Sequence, residues 1–211
     1  MLVHRNADVG LAKRHKLYAG RRAGSNPFHA QKLIVTILAN PFDDNYYHLH
    51  QDKEDAMKFL CPRHRRMFAS LSLNEKNDLW LLWMEYAFTF SENRDSDKLV
   101  AATGSAFDLA CLARKHHPDC MQVELTLAAI LVCRALRDRG DISAAEHVLF
   151  RALDSLQSSE PCPGITGRCS TDECLEVLLD HRRHSEFFAE YLNWPSFPFT
   201  TPTTRPAMAM H

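Results

Sequence analysis

Apolar residues recur at spacings of three and four along most of the chain between about residues 52 and 192. This spacing places them on one face of a helix, so it predicts amphipathic helices rather than strands. Serine, asparagine and aspartate stand where several of these segments begin, because their side chains accept hydrogen bonds from the free N–H groups of a first turn. The pattern predicts helices over residues 52–60, 61–71, 72–90, 96–114, 119–136, 143–156 and 171–192, with Ser72 or Asn74, Ser96, Asp119, Asp141 or Ser143, and Thr171 as capping residues.

Proline and glycine divide the chain into three parts. Residues 1–27 are poor in large apolar side chains and predict a flexible arm, and residues 193–211 form a Pro/Thr-rich tail. Residues 28–192 predict a single helical domain, interrupted by a long loop at 158–170. Residues 26–41 are compatible with either a short helix or a strand. The predicted fold class is all-α.

The stretch "ALRDRGDISAAEHVLFRALDSL" (135–156) contains a predicted helical elbow. Gly140 suits the left-handed residue that ends a helix, and the apolar period resumes directly after it. Ala145 and Ala152 are small enough to let two antiparallel helices approach closely, with Leu149 filling the groove between them. The stretch therefore predicts a hairpin of two packed helices.

The segment "GDISAAEHVLFRAL" resembles the second half of a tetratricopeptide repeat. Gly140-Asp141 match the turn of that pattern, and Ala145, Leu149 and Ala152 match its small, large and small positions. A weaker echo lies at 96–110, around Thr103, Phe107 and Ala110. The resemblance implies stacked antiparallel helical hairpins, and an irregular helical bundle is the alternative architecture. It also implies a module that binds other proteins.

The net charge of −1 conceals an uneven distribution, since residues 1–27 hold six lysines and arginines against one acidic residue. A basic arm on a mildly acidic body can contact nucleic acid, acidic lipid or an acidic partner, and a solvated tail without a partner is the alternative. No apolar run reaches the ~18–20 residues that cross a bilayer, and no apolar segment of a secretory signal follows the basic start. We expect a cytoplasmic protein whose seven cysteines are free thiols.

Cysteines and histidines cluster near the C-terminus and suggest one possible cofactor, zinc. A zinc site there would combine His181 and His184, which share a helix face, with Cys162 and Cys169 from the preceding loop. Cys61 and His64 form a second Cys-x-x-His pair. Neither spacing matches a strong zinc signature, and capping and packing are the alternative roles for these residues.

The favoured function is a non-catalytic module that presents a helical groove to a partner protein. Phosphate-binding glycine motifs, H-E-x-x-H and G-x-S-x-G are all missing, so we do not expect an enzyme. An alternative is a nucleic-acid-associated regulator that uses the basic arm and the Arg/His-rich turns at 63–66 and 181–184. A zinc-stabilised helical protein is a further alternative. The predicted partner-binding residues are Glu85, Glu124, Arg134, Arg182 and Arg183.

Overall fold

The computed structural model describes residues 58–157 and 169–192 together with Trp194. These residues form α-helices, one short 3-10 turn and no strand, which confirms the all-α prediction. The helices are α1 (Pro62–Ala69), α2 (Leu73–Glu92), α3 (Ser96–His116), α4 (Gln122–Asp138), α5 (Ile142–Gln157), α6 (Thr171–Leu179) and α7 (His184–Leu192), with the 3-10 turn at His181–Arg183.

The predicted elbow is present between α4 and α5. Gly140 has a φ of +87°, and its N–H donates to the Arg137 carbonyl at 2.9 Å. The Asp141 N–H donates to the Leu136 carbonyl, also at 2.9 Å. These two bonds form a Schellman motif, which closes the end of α4 and turns the chain back. Ala145 and Ala152 are fully buried, as predicted for the contact between the two helices.

Helices α2 to α5 pack in chain order, each against the next, and short connections make each neighbouring pair antiparallel. Helix α4 is central because α6 and α7 also pack on it, while α6 additionally touches α5. Trp194 is buried against Phe88 of α2 and Phe188 of α7, with ring centroids 5.1 and 5.3 Å away. The largest fully buried side chains of this core include Phe68, Trp80, Met84, Phe107, Leu109, Leu125, Leu131, Leu136 and Leu156.

Three predicted capping residues are wrong by one or two positions. Asp95 rather than Ser96 caps α3, and its carboxylate accepts from the Lys98 N–H at 3.3 Å. Helix α4 begins after Met121, which has a φ of +53° and no side-chain cap, rather than after Asp119. Ser170 rather than Thr171 caps α6. The prediction of Ser72 is confirmed, since Ser72 and Glu75 form a reciprocal capping box at the start of α2.

The single helix predicted for residues 171–192 is also wrong, because the chain breaks at Asp180. This residue is extended (φ −102°, ψ 98°), and its carboxylate accepts from the Arg182 N–H at 3.0 Å. The aspartate side chain thus accepts a backbone N–H that a continuing helix would use in its own hydrogen bonds, and α6 ends at Leu179. Residues 58–60 are not helical, which corrects the end of the helix predicted at 52–60.

The remaining predictions for the arm at 1–27, the segment 26–41 and most of the tail lie outside the described residues. Across the helices that the structure describes, none combines the length and apolarity needed to cross a bilayer.

Candidate functional site

The outer face of α5 carries two of the three exposed large apolar side chains of the described residues. Phe150 is 69% exposed and Ile142 is 51% exposed. Leu149 and Leu153 are only partly buried, and on a helical projection they connect this face to the core. A third exposed apolar residue, Leu179, ends α6 and is 64% exposed. We call the four α5 residues the α5 apolar edge.

The predicted partner-binding residues are distributed over α2, α4 and the 3-10 turn. Glu85 and Glu124 are half-buried on α2 and α4. Arg134 is exposed and pairs with Asp138 at 3.5 Å between Nε and Oδ1. Burial first, and then nearby charges that include Arg134, lower the pKa of His184, so this part of α4 lies near the turn at 181–184.

The two arginines of the turn at 181–184 differ in their surroundings. Arg182 is exposed. Arg183 is paired within its own segment, through Nη1 with Glu176 at 2.7 Å and through Nη2 with Glu173 at 3.5 Å. The turn is therefore partly neutralised, and Arg182 is the more exposed of its two arginines.

The predicted zinc ligands that lie within the described residues are at separate places. His181 is exposed, whereas His184 is half-buried and its Nε2 lies 3.0 Å from the Val177 carbonyl. Burial lowers the pKa of His184, which favours the neutral ring in that contact. Cys169 is buried, and Cys162 lies outside the described residues. Within residues 58–157 and 169–192, no three His, Cys, Asp or Glu side chains converge on one point.

Cys61 and His64 are in contact at the start of α1, where Cys61 is the N-cap residue. The Cys61 sulfur accepts from the His64 N–H at 3.5 Å and lies 3.4 Å from His64 Nδ1. Pro62 occupies the first helical position, as predicted. The His64 ring stacks on Phe68, and burial followed by the Arg63 charge lowers the pKa of His64. The pair works as a helix cap.

A buried ionic contact that sequence analysis missed joins three segments. Asp108 of α3 accepts from the Phe59 and Leu60 N–H groups at 2.6 and 2.9 Å through Oδ2, and from Arg151 Nη2 of α5 at 2.7 Å through Oδ1. The Arg151 guanidinium also lies over the Phe107 ring, 4.9 Å from its centroid. A signal existed in the sequence, because Asp108 is a charge within the apolar face of a helix, and such a charge requires a partner.

Positive charge surrounds this contact. After desolvation, the cations Arg65, Arg151 and Lys115 lower the pKa of Lys58, while Asp108 opposes them. We call Lys58, Arg65, Lys115 and Arg151 the basic cluster. It extends the predicted basic patch at 63–66 with residues from α3 and α5 that no local sequence pattern connects.

A pair of thiols was also missed. The sulfur atoms of Cys169 and Cys174 lie 3.3 Å apart at the start of α6, and both residues are buried. Cys111 of α3 and Cys133 of α4 are also buried, and burial raises the pKa of each thiol to about 12. Such thiols stay protonated and unreactive near neutral pH.

The described residues thus offer an apolar edge, a basic cluster and a buried thiol pair as sites where chemistry or binding could take place. The two surfaces suit binding partners, since exposed apolar patches and clustered cations both mark contacts with other molecules. Comparisons of this chain with protein-family models, with curated proteins and with solved structures give no match.

Proposed function

We propose that this chain is a non-catalytic helical module that binds another protein through the α5 apolar edge. The observation that carries the proposal is the exposure of Phe150, 69% of whose surface is open to solvent, two turns from the half-exposed Ile142. Transferring a phenylalanine side chain from water into an interface gains on the order of 2 kcal/mol. Aromatic residues are enriched at the centres of protein interfaces, so Phe150 is the expected anchor.

The resemblance to a tetratricopeptide repeat supports the same proposal. The residues that carry it, Gly140, Ala145 and Ala152, form the elbow and the close contact between α4 and α5. This contact fixes the core-facing side of α5, and the apolar edge is the adjoining side of the same helix. A partner that supplies apolar side chains at helical spacing would fit along it.

The test uses three single variants of the full chain. Phe150→Asp and Ile142→Asp each place a charge on the edge, while His147→Asp places the same charge at an exposed position of the same helix. Proteins that co-purify with the native chain are identified by mass spectrometry, and circular dichroism checks that each variant is folded. We expect a specific partner to be lost with the first two variants and retained with His147→Asp. Equal recovery with folded Phe150→Asp would contradict the proposal.

A second candidate function, nucleic-acid association, is favoured by the basic cluster. Lys58, Arg65 and Lys115 could neutralise phosphate groups, with the basic arm at 1–27 adding contacts. The variant Lys58→Gln/Lys115→Gln tests this, with Lys98→Gln as the control because Lys98 lies about 25 Å from Lys115 at the opposite end of α3. The affinity of the native chain for duplex DNA and RNA should fall steeply as the salt concentration rises. At constant salt, the affinity should be lower in the double variant and unchanged in Lys98→Gln. Affinity that does not respond to salt would exclude this function.

A zinc-stabilised helical protein is the third proposal, with Cys162, Cys169, His181 and His184 as its candidate ligands. It is decided by elemental analysis of the purified protein and by thermal unfolding with and without a chelator. A stoichiometric zinc content with chelator-sensitive unfolding would support it, and folded protein without zinc would end it.

A further inference from the structure

Helix α6 begins with the sequence "CSTDEC", which places a cysteine on each side of a capped first turn. Ser170 is the N-cap, and its hydroxyl accepts from the Glu173 N–H at 3.1 Å. Cys169 precedes the cap and Cys174 is the fourth helical residue. Side chains at these two positions normally touch as an apolar pair that fixes the entry of the chain into the helix, the hydrophobic staple. Here both members of the staple are thiols.

We propose that Cys169 and Cys174 are a redox-active dithiol that hydrogen peroxide converts into an intramolecular disulfide. Their sulfur atoms already lie 3.3 Å apart. A disulfide bond is about 2.05 Å long, so closure requires the two atoms to approach by little more than an ångström. The staple geometry, which the cap at Ser170 fixes, keeps the two side chains facing each other before any oxidant arrives.

The surroundings of the pair distinguish the two sulfur atoms. A hydrogen bond from the Cys169 thiol lowers the pKa of Cys174, and the Thr126 hydroxyl and the Arg114 cation act in the same direction against burial and Glu173. The same contact, together with burial and Glu173, raises the pKa of Cys169. The Cys169 thiol also donates to the Ser170 carbonyl at 3.5 Å, a contact that holds its proton, so Cys174 is assigned as the nucleophile and Cys169 as the resolving thiol.

The oxidation proceeds in two balanced steps. The Cys174 thiolate attacks one oxygen of hydrogen peroxide, the O–O bond breaks, and Cys174 becomes a sulfenic acid while the released hydroxide takes up the thiol proton as water. Cys169 then loses its proton, and its sulfur attacks the Cys174 sulfur. The S–O bond breaks and the second hydroxide leaves as water. Two thiols lose two electrons in total, and one peroxide is reduced to two waters.

Burial of the pair selects a small oxidant. Cys174 is fully buried and Cys169 is 4% exposed. Hydrogen peroxide has only two heavy atoms and fits such a site better than a bulky disulfide such as oxidised glutathione. Oxidised glutathione would have to form a mixed disulfide, with one glutathione attached to the buried sulfur. Other buried cysteines differ in arrangement, since the Cys133 thiol donates to the Ala145 carbonyl at 3.3 Å.

Peptide mapping tests the proposal on the full chain. Trypsin cleaves after Arg168 and Arg182, so both cysteines fall in the single peptide 169–182. The reduced protein is treated with hydrogen peroxide, alkylated and digested. We expect this peptide to lose two hydrogen atoms and both alkylation sites, to regain them with dithiothreitol, and to react about ten-fold faster than Cys133.

Two variants check the order of the steps. In Cys169→Ser the sulfenic acid on Cys174 has no resolving thiol, so dimedone should trap it there, while Cys133→Ser should leave the oxidation of peptide 169–182 unchanged. Oxidation of the native chain should also raise its thermal unfolding temperature, because the cross-link restricts the unfolded chain. The proposal is overturned if peptide 169–182 keeps both thiols while Cys61 or Cys133 oxidises, or if either cysteine pairs with Cys162 instead.

Discussion

Asp108 anchors the residues that precede α1 to the helical body. It is buried, yet it accepts two backbone hydrogen bonds from Phe59 and Leu60 and a charged one from Arg151. A carboxylate in this position stabilises the fold only while all its partners remain, since an unpaired buried charge costs several kcal/mol. The residue therefore makes the docking of residues 58–60 conditional on the α3–α5 contact.

We predict that Asp108→Asn lowers the free energy of unfolding by about 3 kcal/mol, because the amide cannot satisfy two backbone donors and a guanidinium together. Urea denaturation measures the loss, and Glu146→Gln on the exposed face of α5 should change stability by less than about 0.5 kcal/mol. A double-mutant cycle with Arg151→Gln should give a coupling of at least about 1 kcal/mol. Additive effects in that cycle would mean that the 2.7 Å contact contributes nothing.

Gly104 is required by a steric contact in the same region. A Cβ atom at this position would lie 2.2 Å from Cδ1 and 2.3 Å from Cγ of Phe59. Since Cγ is near the root of the side chain, the whole ring would have to move. We predict that Gly104→Ala destabilises the native chain by about 1–3 kcal/mol despite the better helix propensity of alanine.

The Phe59→Ala background provides the control for Gly104→Ala. With the ring removed, the same substitution should stabilise the protein by up to about 1 kcal/mol, because only helix propensity remains. Thermal or urea unfolding of the four chains measures this reversal. A Gly104→Ala change that stabilises the native chain would show that Phe59 is not held against α3.

Helices were predictable because their signal is repeated over many residues, whereas helix ends depend on single side chains. The apolar period identified α2 to α5, and the caps were misplaced because adjacent residues such as Asp95 and Ser96 are both good caps. The break at Asp180 was missed for a different reason. Apolar residues continue on both sides of it, and α6 ends where the Asp180 carboxylate accepts a local hydrogen bond from the Arg182 N–H.

Helix α2 ends in a strained way that can be improved. Arg94 has a φ of +56°, and the Asp95 N–H donates to the Phe90 carbonyl at 3.0 Å. The motif matches the one at Gly140, but it holds an arginine where glycine is favoured. We predict that Arg94→Gly raises the free energy of unfolding by about 0.5–1 kcal/mol, which chemical denaturation can measure.

Gly140→Ala is the matched change in the opposite direction. A Cβ at Gly140 would meet no atom within 4 Å, so any effect comes from the backbone conformation alone. The free energy of unfolding should fall by about 1 kcal/mol. If the two substitutions shift stability in the same direction, the left-handed conformation is not what determines either effect.

At the scale of the whole molecule, residues that act together come from distant parts of the sequence. The basic cluster combines Lys58 and Arg65 with Lys115 and Arg151, and no spacing along the chain predicts that arrangement. The thiol pair was within reach of sequence analysis, because Cys169 and Cys174 flank a recognisable cap. The zinc hypothesis instead grouped Cys169 with Cys162, His181 and His184, because it considered ligand types and not the positions that flank a helix cap.

The stability of the whole molecule should depend on two histidines at opposite ends of the described chain. Burial, as the largest cause, lowers the pKa of both His64 and His184 below the ordinary value of 6.5. The unfolded chain therefore binds these protons more readily than the folded one. Their contribution to stability is present above about pH 6.5 and is lost as the pH falls through their folded pKa values.

We predict that the free energy of unfolding falls between about pH 7.5 and about pH 5.5, a range in which histidine is the side chain that ordinarily titrates. His64→Gln/His184→Gln should flatten this dependence, because glutamine stays neutral and can still donate to the Val177 carbonyl. His147→Gln, at an exposed site, should preserve it. Urea denaturation at both pH values gives the slopes. An equally steep loss in the folded double variant would place the acid sensitivity elsewhere in the chain.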